Sequence, residues 1–252
     1  MEKTYTDSTR IRLLDYTIDA ISPAALFERI DDFVERKAAV GTIGYTNLHG
    51  LYVAVRDKTM AQFYRQADIN YIDGMPITWL ARGLGYPVSN KDRITFLDFY
   101  YDFFVHCRQQ KYRVLWIGGV DESQRTGIEK IKALVPGVEL VGIDGFRPDD
   151  EYLAIAEQVK PHVILLGLGM PRQESWILRN KALVHCQVIW CVGATIDYIA
   201  GKVITPPRWA AKRGFEWLFR LIAEPHRMWF RYMVEPVVVL CHIAFSRRHF
   251  IN

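Results

Sequence analysis

Short apolar runs, most of them followed by glycine or by an Asp-Gly pair, recur along the chain as far as Gly201, and no other feature of the sequence constrains the fold as strongly. The runs alternate with amphipathic stretches, which is typical of strands joined by crossover helices in a mostly parallel sheet. They cover residues 41–45, 69–72, 113–117, 138–143, 162–166 and 188–192. The sequence therefore predicts a layered α/β fold.

The turns that follow these runs carry polar residues and glycines. In open parallel sheets, ligands bind beyond the carboxyl ends of the strands, so we expect the turns to meet at one crevice. They contain Thr46-Asn47, Asp73-Gly74, Gly118-Gly119, residues 167–174 and Gly193.

Two of these turns have a chemical and a plain structural interpretation. The amides of Gly118-Gly119 can approach a phosphate, and Asp73 can act as a general base toward a sugar hydroxyl. The glycine pair lacks the complete dinucleotide and P-loop patterns, so an ordinary tight turn explains it as well. Asp-Gly is also a very common loop pair. Both interpretations remain open on sequence alone.

A third turn, residues 167–174, joins an apolar run to a helix that Pro171 opens. Gln173 and Glu174 lie in the predicted first turn of this helix. They can face the crevice and bind sugar hydroxyls, while free amides bind an anion. Acidic and amide residues are also ordinary at helix starts.

The pattern changes after Gly201, and we place a boundary near residue 202. From there to the end, nine Lys or Arg residues stand against three acidic ones, on a chain whose formal net charge is +4. Arg220, Arg227 and Arg231 are spaced for one helical face, which suits a diphosphate. A solvated basic face is the alternative. We expect an anionic membrane surface or a phosphate-bearing substrate as the partner of this tail.

No apolar stretch reaches the roughly 18 to 20 uninterrupted residues that span a bilayer, and the first twenty residues contain no apolar signal core. The apolar run 237–245, about 13 Å long if helical, can enter a membrane but not cross it. It can equally pack on the α/β body or on another subunit, as in a homo-oligomer. We therefore expect a cytosolic protein that is soluble or peripheral.

Metal, disulfide and cofactor chemistry find little support. No DxD motif follows a strand, no histidine pair has ligand spacing, and nothing indicates a nucleic-acid partner. A reaction without metal would need cationic side chains or amides to stabilise a leaving phosphate. We predict that the cysteines, Cys107, Cys186, Cys191 and Cys241, are reduced core residues.

Taken in order, a set of short motifs resembles the WecG/TagA/CpsF glycosyltransferases, and the ordered set is far more specific than any member. The resemblance covers roughly residues 40 to 235. Its parts are Thr46-Asn47, Asp73-Gly74, Arg93, Gly118-Gly119, residues 171–174, residues 193–197, Pro207-Arg208-Trp209, Glu216-Trp217, Arg220, Glu224-Pro225, Arg227 and Arg231.

The resemblance implies a Rossmann-like α/β domain, residues 1–201, and a C-terminal helical appendage, residues 202–252, that meets the membrane and helps to complete the active site. It implies an inverting transfer of a hexose from a UDP-sugar to a polyprenyl-diphosphate-linked sugar, without a cofactor, on the inner face of the plasma membrane. Asp73 is then the expected general base. The implied sugar contacts are Thr46, Asn47, Arg93, Gln173 and Glu174, and the implied nucleotide or diphosphate contacts are Gly118, Gly119, Asp197, Arg220, Arg227 and Arg231.

One departure from the family pattern bears on the sugar. The run 92–98 has Phe96 where relatives that use N-acetylmannosamine commonly have glycine, and a ring there can reshape the sugar pocket. Glucose, N-acetylmannosamine and its uronic acid therefore all remain open as donors. The alternatives to an enzyme are a noncatalytic nucleotide-sugar-binding module and a peripheral membrane adaptor.

Overall fold

The computed structural model describes residues 8–36, 39–203, 221–222 and 225–248. The strands are β1 (Ser8–Leu13), β2 (Tyr16–Ile21), β3 (Gly41–Thr46), β4 (Ile69–Ile72), β5 (Val114–Gly118), β6 (Leu140–Ile143), β7 (Val163–Gly167) and β8 (Val188–Cys191). The helices are α1 (Pro23–Arg36), α2 (Leu48–Arg56), α3 (Lys58–Gln66), α4 (Met75–Gly83), α5 (Phe96–Gln110), α6 (Asp121–Leu134), α7 (Asp149–Val159), α8 (Arg172–Asn180), α9 (Thr195–Ala200), α10 (Pro225–Met233) and α11 (Glu235–Arg248).

All eight strands form one sheet in the order β1-β2-β4-β3-β8-β7-β5-β6. Every described pairing is parallel except that of β1 with β2. The predicted α/β fold with a mostly parallel sheet is confirmed. The β1–β2 hairpin was not predicted, although the apolar alternation of Ile11 with Leu13 and of Tyr16 with Ile18 was a signal for it.

The stretch 48–66 between the first two predicted strands forms two helices, because the chain turns at Asp57. Asp57 has extended backbone angles, and its carboxylate accepts a hydrogen bond of 2.8 Å from the amide of Met60. This is an N-cap, which satisfies a free amide of the new helix and starts α3 in a new direction.

Two apolar layers enclose the sheet. One contains buried side chains of α2, α3, α4, α7 and α8, and the other those of α1, α5, α6 and α9. The rings of Trp116, Trp176 and Trp190 are fully buried in these layers, and truncation of such a ring typically costs about 3–5 kcal/mol. The helices that follow the neighbouring strands β5, β7 and β8 lie on alternate faces, which opens a crevice at the carboxyl ends of these strands.

The described part of the tail packs on α2. Met228 and Val239 are buried, and Val239 belongs to the same apolar layer as Leu51 of α2. Glu235 is 2% exposed, and its Oε1 lies 2.8 Å from Nδ1 of His49. The amide of Val234 donates to the carbonyl of Phe230, so α10 and α11 are nearly continuous. The division of the chain at residue 202 stays a prediction.

The outer side of these two helices is apolar and exposed. Its side chains are Trp229, Met233, Val237, Leu240 and Phe245. The prediction that all cysteines are core residues is wrong for Cys241, which is exposed on α11 because the tail packs by one side only. Cys107, Cys186 and Cys191 are buried, and no described cysteine is in a disulfide.

One helical stretch of the described chain, Met228–Phe245, is long and apolar enough to cross a membrane by length and composition, with a mean hydropathy of 1.3. The stretch contains the charged residues Arg231 and Glu235, so it is not one of the uninterrupted apolar runs on which the sequence prediction rested. Within the protein, 17% of this window is buried.

Candidate active site

The turns singled out in the sequence lie in a row along the carboxyl edge of the sheet. In spatial order, Asp73 follows β4, Asn47 follows β3, Gly193 follows β8, Gly169 follows β7 and Gly119 follows β5. Neighbouring strands are about 4.8 Å apart, so the row from Asp73 to Gly119 spans roughly 19 Å. A row of this length matches an extended ligand such as a nucleotide sugar.

Asp73 is half-buried and is held by two side chains. Thr95 donates from Oγ1 to Asp73 Oδ1 at 2.7 Å, and Asn47 donates from Nδ2 to Asp73 Oδ2 at 3.3 Å. Asn47 is itself fixed, because its Oδ1 caps α2 by accepting from the amide of Gly50 at 2.8 Å. The carboxylate therefore has a defined orientation and keeps lone pairs free to take a proton.

Thr95 was missed as a functional residue by the sequence reasoning. Its only signal was its place in the 92–98 run beside Arg93, because pairing with Asp73 depends on the path of the loop after α4. The side chain of Arg93 is mostly buried, and its Nη2 lies 3.4 Å from Oδ2 of Asp98. Arg93 thus lies two residues from the partner of Asp73.

The hydroxyl of Thr46 does not line an open groove, because Thr46 is buried at the end of β3. Its carbonyl accepts from the amide of Asp73 at 2.9 Å, so its backbone helps to set the turn. The adjacent Tyr45 reaches into the row instead. A Cβ on Gly193 would lie 2.6 Å from the Tyr45 hydroxyl, so only glycine leaves room for this oxygen.

Gln173 and Glu174 are buried below the row rather than exposed on it, at 0% and 1% exposure. Gln173 donates from Nε2 to Glu174 Oε1 at 2.8 Å and lies 3.5 Å from the Tyr45 hydroxyl. Oε2 of Glu174 has no hydrogen-bond partner among the residues that the structure describes. Burial raises the pKa of Glu174 to about 7, and the hydrogen bond from Gln173 offsets part of this rise.

The glycine pair after β5 meets the turn after β8. Gly118 and Gly119 have φ values of 151° and 69°, which favour glycine. A Cβ on Gly119 would lie 2.6 Å from Cγ2 of Ile196 and 3.5 Å from Oδ1 of Asp197. Two predicted nucleotide contacts, Gly119 and Asp197, are therefore neighbours in space. The close packing requires a glycine with or without a ligand, so the phosphate role of the pair stays a prediction.

The ring of Phe96 does not face a sugar pocket. Phe96 is 2% exposed and packs against Trp190, with ring centroids 4.8 Å apart. It begins α5 and points into the apolar layer on that side of the sheet, because the core offers the larger apolar contact. The prediction that this ring can reshape the sugar pocket is therefore wrong.

The three predicted diphosphate arginines are not brought together in the described residues. Arg220 is not among the described residues. Arg227 belongs to α10, but its side chain is not described. Arg231 lies in the last turn of α10 and is half-buried. The role of these arginines stays a prediction.

Within the described ranges, no group of three or more His, Cys, Asp and Glu side chains comes together in a way that could hold a metal ion. A concavity lies at the opposite edge of the sheet, where the strands begin, and Arg113, Lys160 and His185 line it. It is remote from Asp73, because parallel strands separate their two ends by their full length. The row at the carboxyl edge is the candidate active site.

Comparisons with known proteins find similarity to one group of glycosyltransferases. A family model described as "Glycosyl transferase WecG/TagA/CpsF family" matches residues 11–251. The chain is 28% identical over 184 residues to an N-acetylglucosaminyldiphosphoundecaprenol N-acetyl-beta-D-mannosaminyltransferase of Bacillus spizizenii strain W23, covering 72% of this chain and 70% of that protein. It is 23% identical over 211 residues to the protein with the same description in Bacillus subtilis strain 168, covering 82% and 80%.

We predict that Glu174→Gln stabilises the protein in a pH-dependent manner. The native pKa of about 7 lies above the ordinary value of 4.5, so wild-type stability is present at low pH and is lost as the pH rises through 7. Near pH 8 the neutral amide should raise the free energy of unfolding by on the order of 1–3 kcal/mol, and near pH 4, below the ordinary pKa of 4.5, the gain should largely vanish. Urea unfolding at both pH values measures this.

The matched control is Glu129→Gln, which alters an exposed carboxylate on α6 and should change stability little at either pH. An equal gain from Glu174→Gln at both pH values would show that Glu174 does not titrate as a buried group.

Proposed function

Because the chain belongs to the WecG/TagA/CpsF family of glycosyltransferases, we propose that it transfers a hexose from a UDP-sugar to a polyprenyl-diphosphate-linked sugar. The observation that carries the proposal is the Asp73 carboxylate, oriented by Asn47 and Thr95 at one end of the row of turns. The similar Bacillus proteins are described as transferring N-acetylmannosamine to a diphosphoundecaprenol-linked sugar, which supports the class of acceptor.

The proposed mechanism is a single displacement with inversion. Asp73 takes the proton of the acceptor hydroxyl as its oxygen forms a bond to the anomeric carbon of the donor. The bond from that carbon to the β-phosphate oxygen breaks, and the electron pair leaves with UDP. Backbone amides of the glycine turns after β8 and β7, which lie between Asp73 and Gly119 along the row, and the tail arginines stabilise the leaving charge, so no step requires a metal ion.

We propose that the sugar occupies the end of the row near Asp73 and the nucleotide the end near Gly119 and Asp197. The proximity of Gly119 to Asp197 supports this assignment, since a carboxylate suits the hydroxyls of a ribose. Glucose, N-acetylmannosamine and its uronic acid remain the donors to test. With Phe96 in the core, the 92–98 run no longer argues against N-acetylmannosamine.

We propose that the protein lies on the inner face of the plasma membrane without crossing it. The exposed apolar side of α10 and α11 supports contact with the membrane surface, and its Trp229 is a residue type that favours the headgroup boundary. Against a crossing stands Glu235, which is buried beside His49 in the middle of the same helical stretch.

Two other functions are consistent with either the site or the tail alone. A noncatalytic nucleotide-sugar-binding module would keep the row of turns but show no turnover. A peripheral membrane adaptor would need only the tail. The fixed orientation of Asp73 favours an enzyme over both, because binding alone requires no such base.

We expect turnover when the full-length protein is mixed with a UDP-sugar and a short-chain lipid-diphosphate sugar in excess EDTA, with mass detection of the product. Glucose, N-acetylmannosamine and N-acetylmannosaminuronic acid donors are compared. Binding of UDP-sugar without product from any donor would favour the noncatalytic module. Turnover that EDTA abolishes and magnesium restores would contradict the metal-free mechanism.

We predict that Asp73→Asn lowers turnover by about 100- to 10,000-fold, the usual contribution of a general base. UDP affinity should stay close to wild type, because the proposed nucleotide site lies roughly 19 Å away. Steady-state kinetics and calorimetry measure the two effects. Asp15→Asn, an exposed carboxylate on the other side of the fold, is the control. Near-normal turnover of Asp73→Asn would remove Asp73 from the role of base.

We predict that Val237→Glu weakens sedimentation of the protein with anionic liposomes, because a charge replaces an exposed apolar side chain on the proposed membrane face. Raised salt should also weaken binding, since each basic residue near an anionic surface contributes about 1 kcal/mol. Leu134→Glu, equally exposed but on α6, is the control. If neither raised salt nor Val237→Glu changes the fraction of protein that sediments with liposomes, this membrane face is ruled out.

A further inference from the structure

The loop that follows β6 presents an aromatic ring to solvent at the nucleotide end of the row. Phe146 is 72% exposed, whereas most aromatic side chains of the sheet layers are buried. Single exposed apolar residues are common and need no explanation by themselves. Phe146 differs in two respects, which are the rigidity of its loop and its position.

The backbone around Phe146 is held on both sides. The amide of Gly145 donates to the carbonyl of Gly119 at 2.8 Å, and the guanidinium of Arg172 donates to the carbonyl of Gly145 at 2.7 Å. The amide of Phe146 donates to Asp144 Oδ1 at 3.1 Å. The loop is therefore fastened to β5 and to α8.

The residue after Phe146 is also fixed. Arg147 donates from Nε to Asp144 Oδ2 at 2.7 Å, and its amide donates to the Tyr152 hydroxyl at 3.0 Å. The pKa of Asp144 lies below its usual range because Arg147 and the amide of Phe146 stabilise the carboxylate against the cost of burial. A loop pinned in this way presents the ring from a fixed backbone position, so little backbone entropy remains to be lost when a ligand binds.

The position of the loop connects it with the glycine turn. A Cβ on Gly145 would lie 3.1 Å from Cα of Gly118, so the two turns are in backbone contact. β6 is the edge strand beyond β5, which places Phe146 at the far end of the row from Asp73. The order along the edge is then Asp73, the glycine turns with Asp197, and Phe146.

We propose that Phe146 is the stacking platform for the nucleobase of a nucleoside diphosphate. The inference rests on the proposed function, in which the donor is a nucleotide sugar. With the sugar near Asp73 and the ribose near Asp197, the base reaches the edge of the sheet at Phe146. A flat aromatic side chain stacks on a base and adds affinity without selecting its identity.

Calorimetric titration of the full-length protein with UDP and with inorganic pyrophosphate tests the proposal. Phe146→Ala should weaken UDP binding by about 5- to 100-fold, the range for loss of one base-stacking contact. Pyrophosphate, which has no base, should bind wild type and variant within about twofold of each other. Phe146→Trp should retain UDP affinity, because the indole ring also stacks.

The matched control is Leu183→Ala. Leu183 is 64% exposed in the connection between α8 and β8, at the opposite edge of the sheet, so its removal should leave UDP binding unchanged. Thermal unfolding of each variant checks that the fold is retained.

Each of the following four results overturns the inference. UDP affinity of Phe146→Ala equal to that of wild type shows that the ring makes no contact with the base. If Phe146→Ala weakens UDP and pyrophosphate binding equally, the effect comes from the loop and not from the ring. The same conclusion follows if Phe146→Trp loses as much UDP affinity as Phe146→Ala. A wild-type protein that does not bind UDP refutes the proposed donor itself, which separates failure of the function from failure of this inference.

Discussion

The close approach of backbones at the carboxyl ends of β5, β7 and β8 is the constraint on which the rest of the site depends. A Cβ on Gly118 would lie 2.5 Å from the carbonyl oxygen of Gly167, and a Cβ on Gly167 would lie 2.7 Å from that of Gly193. Side chains larger than hydrogen cannot occupy these positions without moving backbone. The glycines therefore give the crevice a floor made of main chain, with space above it for an extended ligand.

Around this floor, the fold separates polar groups by their environment. Asp73 is half-buried and held by Asn47 and Thr95, so it remains accessible to a substrate hydroxyl. Glu174 lies below the floor, one of its carboxylate oxygens has no partner within the described part of the chain, and burial raises its pKa to about 7. Two carboxyl groups of one site thus have different tasks available to them, because solvent reaches only one.

The tail is linked to the same site through α2. Asn47 caps α2 and contacts Asp73, while His49 in the first turn of that helix contacts Glu235 of α11. Met228 and Val239 bury apolar surface on the body, and the opposite side of the tail stays exposed. A helix with one face on the catalytic domain and one free apolar face is suited to join that domain to a membrane surface.

The sequence by itself determined the order of the strands from β3 onward, and it marked the turns at Asp73, Gly119 and Asp197. This was possible because the apolar period and the glycines are local signals, and because parallel strands bring their carboxyl ends to one edge. Only the tertiary structure decided which side chains meet there. The pairing of Thr95 with Asp73, the burial of Gln173 and Glu174, and the inward ring of Phe96 all depend on contacts between residues distant in sequence. Local periodicity carries no information about such contacts, because the packing of whole layers selects the face that each side chain occupies.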